Sequence, residues 1–175
     1  MRWGLIPSWA KDPSIGNRMI NARAETVAEK PAFRSAVRRR RCLVLADGFY
    51  EWRRVAGGRT KRPMRIVLKT GEPFAFAGLW ETWRDPAGGR IQSCAIVTTK
   101  ANDLLKPIHD RMPVILPREV EPLWLDASVD EPDLLAYMFR PYDSNGMDAY
   151  EVSTLVNSAG NNVPDVMAPV GPSLL

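Results

Sequence analysis

A chain of 175 residues with 45% hydrophobic and 25% charged residues carries enough apolar surface for one real core, and is short for two independent ones. The formal net charge of +4 is compatible with a polyanionic partner without requiring one, so the distribution of charge matters more than its sum. No apolar run approaches the roughly 20 residues that cross a bilayer, and the opening "MRWGLIPSWAKD" lacks the apolar centre of a signal peptide, so a cytoplasmic chain with no membrane partner is expected.

The first predicted helix covers "ETVAEKPAFRSAVRR" at 25–39, with Val27, Phe33 and Val37 on one side and Pro31 either starting the helix or kinking it. The run Arg38–Arg41 closes it. Those four guanidiniums either meet the negative end of the helix dipole, line a solvated face, or bind phosphate. Strand patterns follow in "CLVLADGFYEWRR", "PMRIVLKT", "PFAFAGLWETWR" and "SCAIVTT". Between them, "VAGGRT", "KTGEP" and "DPAGG" have the glycine and proline chemistry of hairpin turns. Short helices are predicted at 100–106, 118–125 and 131–139, and "DAYEVSTLVN" reads as a returning strand.

Strands interspersed with peripheral helices, without regular βαβ alternation, predict an α+β fold in a single domain over residues 1–175, built mainly on antiparallel sheet and barrel-like. Neither GxGxxG nor P-loop spacing occurs, so no nucleotide cofactor is expected. Cys42 and Cys94 stand singly in apolar stretches without zinc-ligand spacing, and read as buried, inert thiols; no metal is expected.

Several polar residues sit against apolar or aromatic neighbours. Glu51 lies between Tyr50 and Trp52: either it is desolvated and suited to acid–base work, or it points to solvent while the aromatics face the core. Asn21 and Arg23 follow Met19 and Ile20, and the only histidine, His109, stands in "PIHDRMPVIL" two residues before Arg111. Asn21 also suits a turn, and each arginine a surface ion pair. As a set, a carboxylate, an amide, an imidazole and two guanidiniums suit an anionic, sugar-like substrate, with Trp3 and Trp9 offering stacking faces for unpaired bases.

The segments "WGLIPSWAKD", "INARAET", "CLVLADGFYEW", "FAGLWE", "AIVTTKAN" and "IHDRMPVIL", in this order, closely resemble the SRAP family, the SOS response-associated peptidases, and the resemblance runs on through "YEVSTLVN". It implies covalent capture of abasic sites in single-stranded DNA by a cysteine exposed at the N-terminus when the initiator methionine is removed. The amine of that cysteine forms a Schiff base with the ring-opened deoxyribose, and its thiol closes a thiazolidine. By the same resemblance Asn21 orients the reacting N-terminal group, while Glu51 moves protons in ring opening and adduct formation. His109 would act on the sugar and the Schiff base, Arg23 and Arg111 on the DNA backbone, and Trp9 and Thr98 at the bound strand.

This chain opens "MRWGLIP" where the family opens Met-Cys-Gly-Arg upstream of that segment, so Met1 reads as an internal methionine and the chain as a truncated, impaired form. Two other readings stay open: a non-catalytic module that binds single-stranded DNA, and an unrelated hydrolase using Glu51 and His109 as an acid–base pair.

Overall fold

A computed structural model describes residues 1–55, 57 and 60–171. In chain order the strands are β1 (Arg2–Trp3), β2 (Asn21–Arg23), β3 (Arg41–Ala46), β4 (Phe49–Arg54), β5 (Lys61–Leu68), β6 (Phe74–Arg84), β7 (Arg90–Lys100), β8 (Arg111–Pro113), β9 (Ile115–Leu116) and β10 (Met147–Glu151). The α-helices are α1 (Arg34–Arg39), α2 (Glu121–Leu125) and α3 (Pro132–Met138). Mostly antiparallel sheet with a few short helices makes the fold α+β, as expected, and the strand orders describe open sheets rather than a closed barrel. The contacts divide the chain into two compact units.

The first unit comprises 1–45, 74–99 and 113–142. Its centre is the β6–β7 hairpin, turned by "DPAGG", with Gly88 at φ 100° where a side chain would be strained. Alternation along β6 is lost: Phe74 to Leu79 are all buried, which is the pattern of a strand covered on both faces. β3 flanks β6 at Gly78, where an added Cβ would stand 2.8 Å from Cys42 Sγ and 2.9 Å from Val44 Cγ2, so the close approach requires glycine. On the other side of β7, β1 and β2 pair in parallel, a departure from the antiparallel expectation. Leu5, Val27, Val37, Leu79, Val97 and Trp124 form the core of this unit.

Val27, Phe33 and Val37 are buried together as expected, but the helix over 25–39 shrinks to α1. Residues 24–33 run instead as hydrogen-bonded turns, because Pro31 lacks an N–H and pushes the residue before it out of the helical region. The arginine run then splits. Arg41 enters β3 buried and donates from Nη1 to the Val37 and Arg38 carbonyls at 2.8 and 3.0 Å, so it caps the carbonyl end of α1. Its Nε and Nη2 reach the Trp124 and Asp126 carbonyls. Arg40 turns to a half-buried ion pair with Glu81 at 2.8 Å.

The second unit comprises 46–73, 100–112 and 143–171 of the described residues. Its sheet is β4–β5–β10, antiparallel throughout, with Phe49 opposite Ile66 and Glu51 opposite Met64, which is in turn opposite Glu151. Part of the predicted "VAGGRT" turn lies outside the described residues. "KTGEP" does turn, with Gly71 at φ 70°, but it joins strands of different sheets and is not a hairpin. Nor is 100–106 a helix: it runs as turns, in which Asn102 Oδ1 accepts from the Leu105 N–H at 3.0 Å and the Asn102 carbonyl from the Lys106 N–H at 3.0 Å. The predicted helices at 118–125 and 131–139 form as a 3₁₀ turn running into α2, and as α3. The returning strand stops at Glu151, and Thr154–Asn157 turns as a 3₁₀ helix.

Candidate functional site

In the first unit, β2 alternates exposed, buried, exposed, so Asn21 and Arg23 share one outward face while Ala22 anchors the strand in the core. Parallel pairing sets Asn21 beside Ile96 and Arg23 beside Thr98, whose side chain is buried. The Ala24 N–H donates to the Thr98 carbonyl at 2.9 Å and fixes the end of that pairing. Asn21, Arg23 and Thr98 are therefore brought together at one strand edge. Trp9 lies in a turn of the same unit, 59% exposed, and its indole is available as a flat apolar face. Trp3 is equally exposed, but its Nε1–H donates to the Ile20 carbonyl at 2.9 Å, which holds the ring beside the start of β2.

In the second unit the sheet settles which way Glu51 points, and it overturns the arrangement with aromatics inward and carboxylate outward. Strand alternation puts Phe49 and Glu51 on the face that carries buried Met64 and Ile66. Tyr50 and Trp52 lie on the opposite face, beneath the C-terminal segment. There Tyr50 Oη donates to the Val166 carbonyl at 3.3 Å, Tyr150 Oη to that of Met167 at 3.2 Å, and Trp52 Nε1 to Asn157 Oδ1 at 2.7 Å. Arg65, opposite both tyrosines in register, donates to Tyr150 Oη at 2.7 Å and pairs with Asp47 at 3.1 Å. Glu51 is thus half-buried against apolar side chains, and that desolvation raises its pKa above the ordinary 4.5; the nearby positive charge of His109 and a backbone N–H at Trp52 oppose the rise.

His109 is held by its loop. Its N–H donates to the Leu105 carbonyl at 2.8 Å, and the Ala101 N–H donates to that of Asp110 at 3.0 Å. Its ring Nδ1 accepts from the Arg111 N–H at 3.1 Å and stands 3.2 Å from Asp110 Oδ1. One nitrogen cannot serve both at once. The Arg111 carbonyl also lies 3.3 Å from Nδ1, so whether this nitrogen accepts from the Arg111 N–H or donates to the Arg111 or Asp110 oxygen follows the ring's tautomer. Glu51 and His109 are therefore brought within electrostatic reach in one unit, with Arg111 starting β8 two residues on.

Neither cysteine is built to react. Cys42 lies on β3 and burial pushes its thiol up to about 11; Cys94, buried on β7, is also raised by burial. Among the described residues no group of three His, Cys, Asp or Glu side chains could hold a metal ion, and no helix is long and apolar enough to cross a membrane.

Asn157 and Arg65, which fix the strand that carries Glu51, were missed by sequence reasoning. The Trp52–Asn157 contact spans 105 positions and has no local signature; the cue was a polar residue closing the "YEVSTLVN" segment.

Residues 1–159 match the family model described as SOS response associated peptidase (SRAP). The abasic site processing protein YoqW of Bacillus subtilis is 54% identical over 167 residues, covering 95% of this chain and 74% of the relative. The abasic site processing protein HMCES of Rattus norvegicus is 35% identical, over 97% of this chain and 56% of its own length. A crystal structure of a Bacteroides thetaiotaomicron protein superposes with a TM-score of 0.87 at 33% identity, covering 96% of this chain and 75% of that one.

Proposed function

The chain belongs to the SOS response associated peptidase family, and from that premise we propose that it processes abasic sites in single-stranded DNA by covalent capture. The observation that carries the chemistry is a carboxyl, Glu51, kept half-buried on an apolar sheet face with its pKa raised and the His109 imidazole in electrostatic reach. Relatives named as abasic site processing proteins support the substrate class.

Capture begins when an N-terminal amine adds to the aldehyde of the ring-opened deoxyribose. The carbinolamine loses water to give a Schiff base, and a thiol then adds across the C=N bond to close a thiazolidine. Glu51, whose pKa burial raises, protonates the departing oxygen, and His109 exchanges protons at the sugar and the Schiff base. Asn21 orients the amine by hydrogen bonding. Arg23 and Arg111 contact the DNA backbone beside the lesion, Trp9 stacks on a base, and Thr98 stands beside Arg23 on the strand edge. Amine and thiol must come from one N-terminal cysteine; Cys42 and Cys94, interior on their strands with raised thiol pKa values, do not supply them.

A denaturing-gel assay with single-stranded DNA carrying one abasic site tests this, using this chain and a form extended upstream to a Met-Cys start. The expected result is a heat-stable shifted band with the extended form, reduced on the order of a hundredfold in rate by Glu51→Gln. No band with either form removes covalent capture. A second reading, non-catalytic binding of single strands, draws on the absence of a reactive thiol among the described residues; it predicts affinity indifferent to Glu51→Gln.

A further inference from the structure

The arginine run that closes α1 divides by role. Arg41 is used up in capping carbonyls, and Arg40 in the pair with Glu81. Neither task engages the side chains of Arg34, Arg38 or Arg39, which are exposed on α1. Arg34 and Arg38 are four residues apart, so their side chains stand one turn above another, about 6 Å along the axis. Like charges at this spacing destabilise a helix, and neither is in an ion pair among the described residues. Arg39 meets Asp130 only at 3.9 Å, with its side chain 67% exposed. The three arginines, with Ser35, Ala28, Glu29 and Asp130, line an open cavity of about 560 Å³ within the first unit. Its rim carries three positive charges against two negative, and the positive ones are guanidiniums, whose planar fork matches phosphate oxygens.

We propose that Arg34, Arg38 and Arg39 form a second, sequence-independent contact for the phosphates of single-stranded DNA, separate from the residues that would handle the lesion. This rests on the reading that the chain engages single strands. The turns of 24–33 run directly from Arg23, at the end of β2, to α1, so one continuous segment carries both the lesion-side guanidinium and this cluster. Bidentate contacts from Arg34 and Arg38 would hold adjoining phosphates, while Asp130 keeps Arg39 oriented across the mouth. Glu29 opposes the strand's charge and limits affinity.

The test is fluorescence titration of the full chain with a labelled single-stranded oligonucleotide lacking any abasic site, across a salt series. For Arg34→Gln/Arg38→Gln we expect binding weaker by about fivefold or more at low salt, equally for different sequences. The slope of log affinity against log salt should be shallower by about 1.4, since two phosphates of the single strand are then no longer neutralised. Glu29→Gln should tighten binding, a gain that misfolding cannot produce. Arg84→Gln/Arg90→Gln at the exposed β6–β7 turn removes the same net charge and should have much the smaller effect. Unchanged affinity and slope in the α1 double variant, or an equal loss in the hairpin control, overturns the proposal. Failure of the capture reading is separately visible: a strand with an abasic site would then give no adduct with the form extended to a Met-Cys start, while the α1 effect on intact DNA persists.

Discussion

Glu51 shows how one side chain's direction sets both chemistry and stability. Its folded-state pKa is raised by burial, so between the ordinary value of 4.5 and that raised value the folded chain binds more protons than the unfolded chain. Stability contributed by this group is therefore greatest below 4.5 and falls as pH rises through the window, since above it the carboxylate is charged in an apolar setting. Glu51→Gln should raise the melting temperature at pH 7 and leave it nearly unchanged at pH 4, while reducing adduct formation. A melting temperature lowered at pH 7 would show that the carboxylate's partners outweigh its desolvation. The sequence carried the identity of this residue and its aromatic neighbours, but not its direction. Period-two alternation is symmetric, and only the C-terminal segment lying over Tyr50 and Trp52 assigns Glu51 to the face of Met64 and Ile66.

Among elements, β4 and β6 depend on contacts from far along the chain. Asn157→Ala removes the acceptor for the Trp52 indole and should loosen the segment after β10, at a cost of about 1 kcal/mol. Hydrogen exchange should accelerate over 153–170 and in β4 while β6 and β7 are unchanged; uniform protection would mean that the tyrosine contacts suffice. Gly78→Ala would set a methyl into the gap between β6 and β3 and should destabilise by about 1–3 kcal/mol in chemical denaturation. The strands from β3 to β7 were legible from their β-branched and aromatic runs and the turn chemistry between them, whereas the short β1, β2, β8 and β9 were not. The helices were less so. Pro31 shortened one, and 100–106 runs as turns that do not propagate into a helix.

For the whole molecule, the fold keeps both thiols from reacting. At pH 8 a thiol at about 11 is on the order of 10⁻³ ionised, so alkylation of Cys42 should run at least about a hundredfold slower in the folded chain than in urea. Cys94 should react only as fast as the first unit opens; rapid labelling of either in native buffer would contradict the burial described. By itself the sequence determined the α+β class, the longer strands from β3 to β7, the family resemblance and the chemically active residue types. Each of these follows from local composition, spacing or ordered motifs, which survive without knowledge of the fold. Tertiary structure alone decided the parallel docking of β1 and β2, the face on which Glu51 lies, and the division of four successive arginines. Two of those arginines are internal struts and two are surface charges, because which guanidinium finds a carbonyl or a carboxylate depends on residues some 40 to 85 positions away.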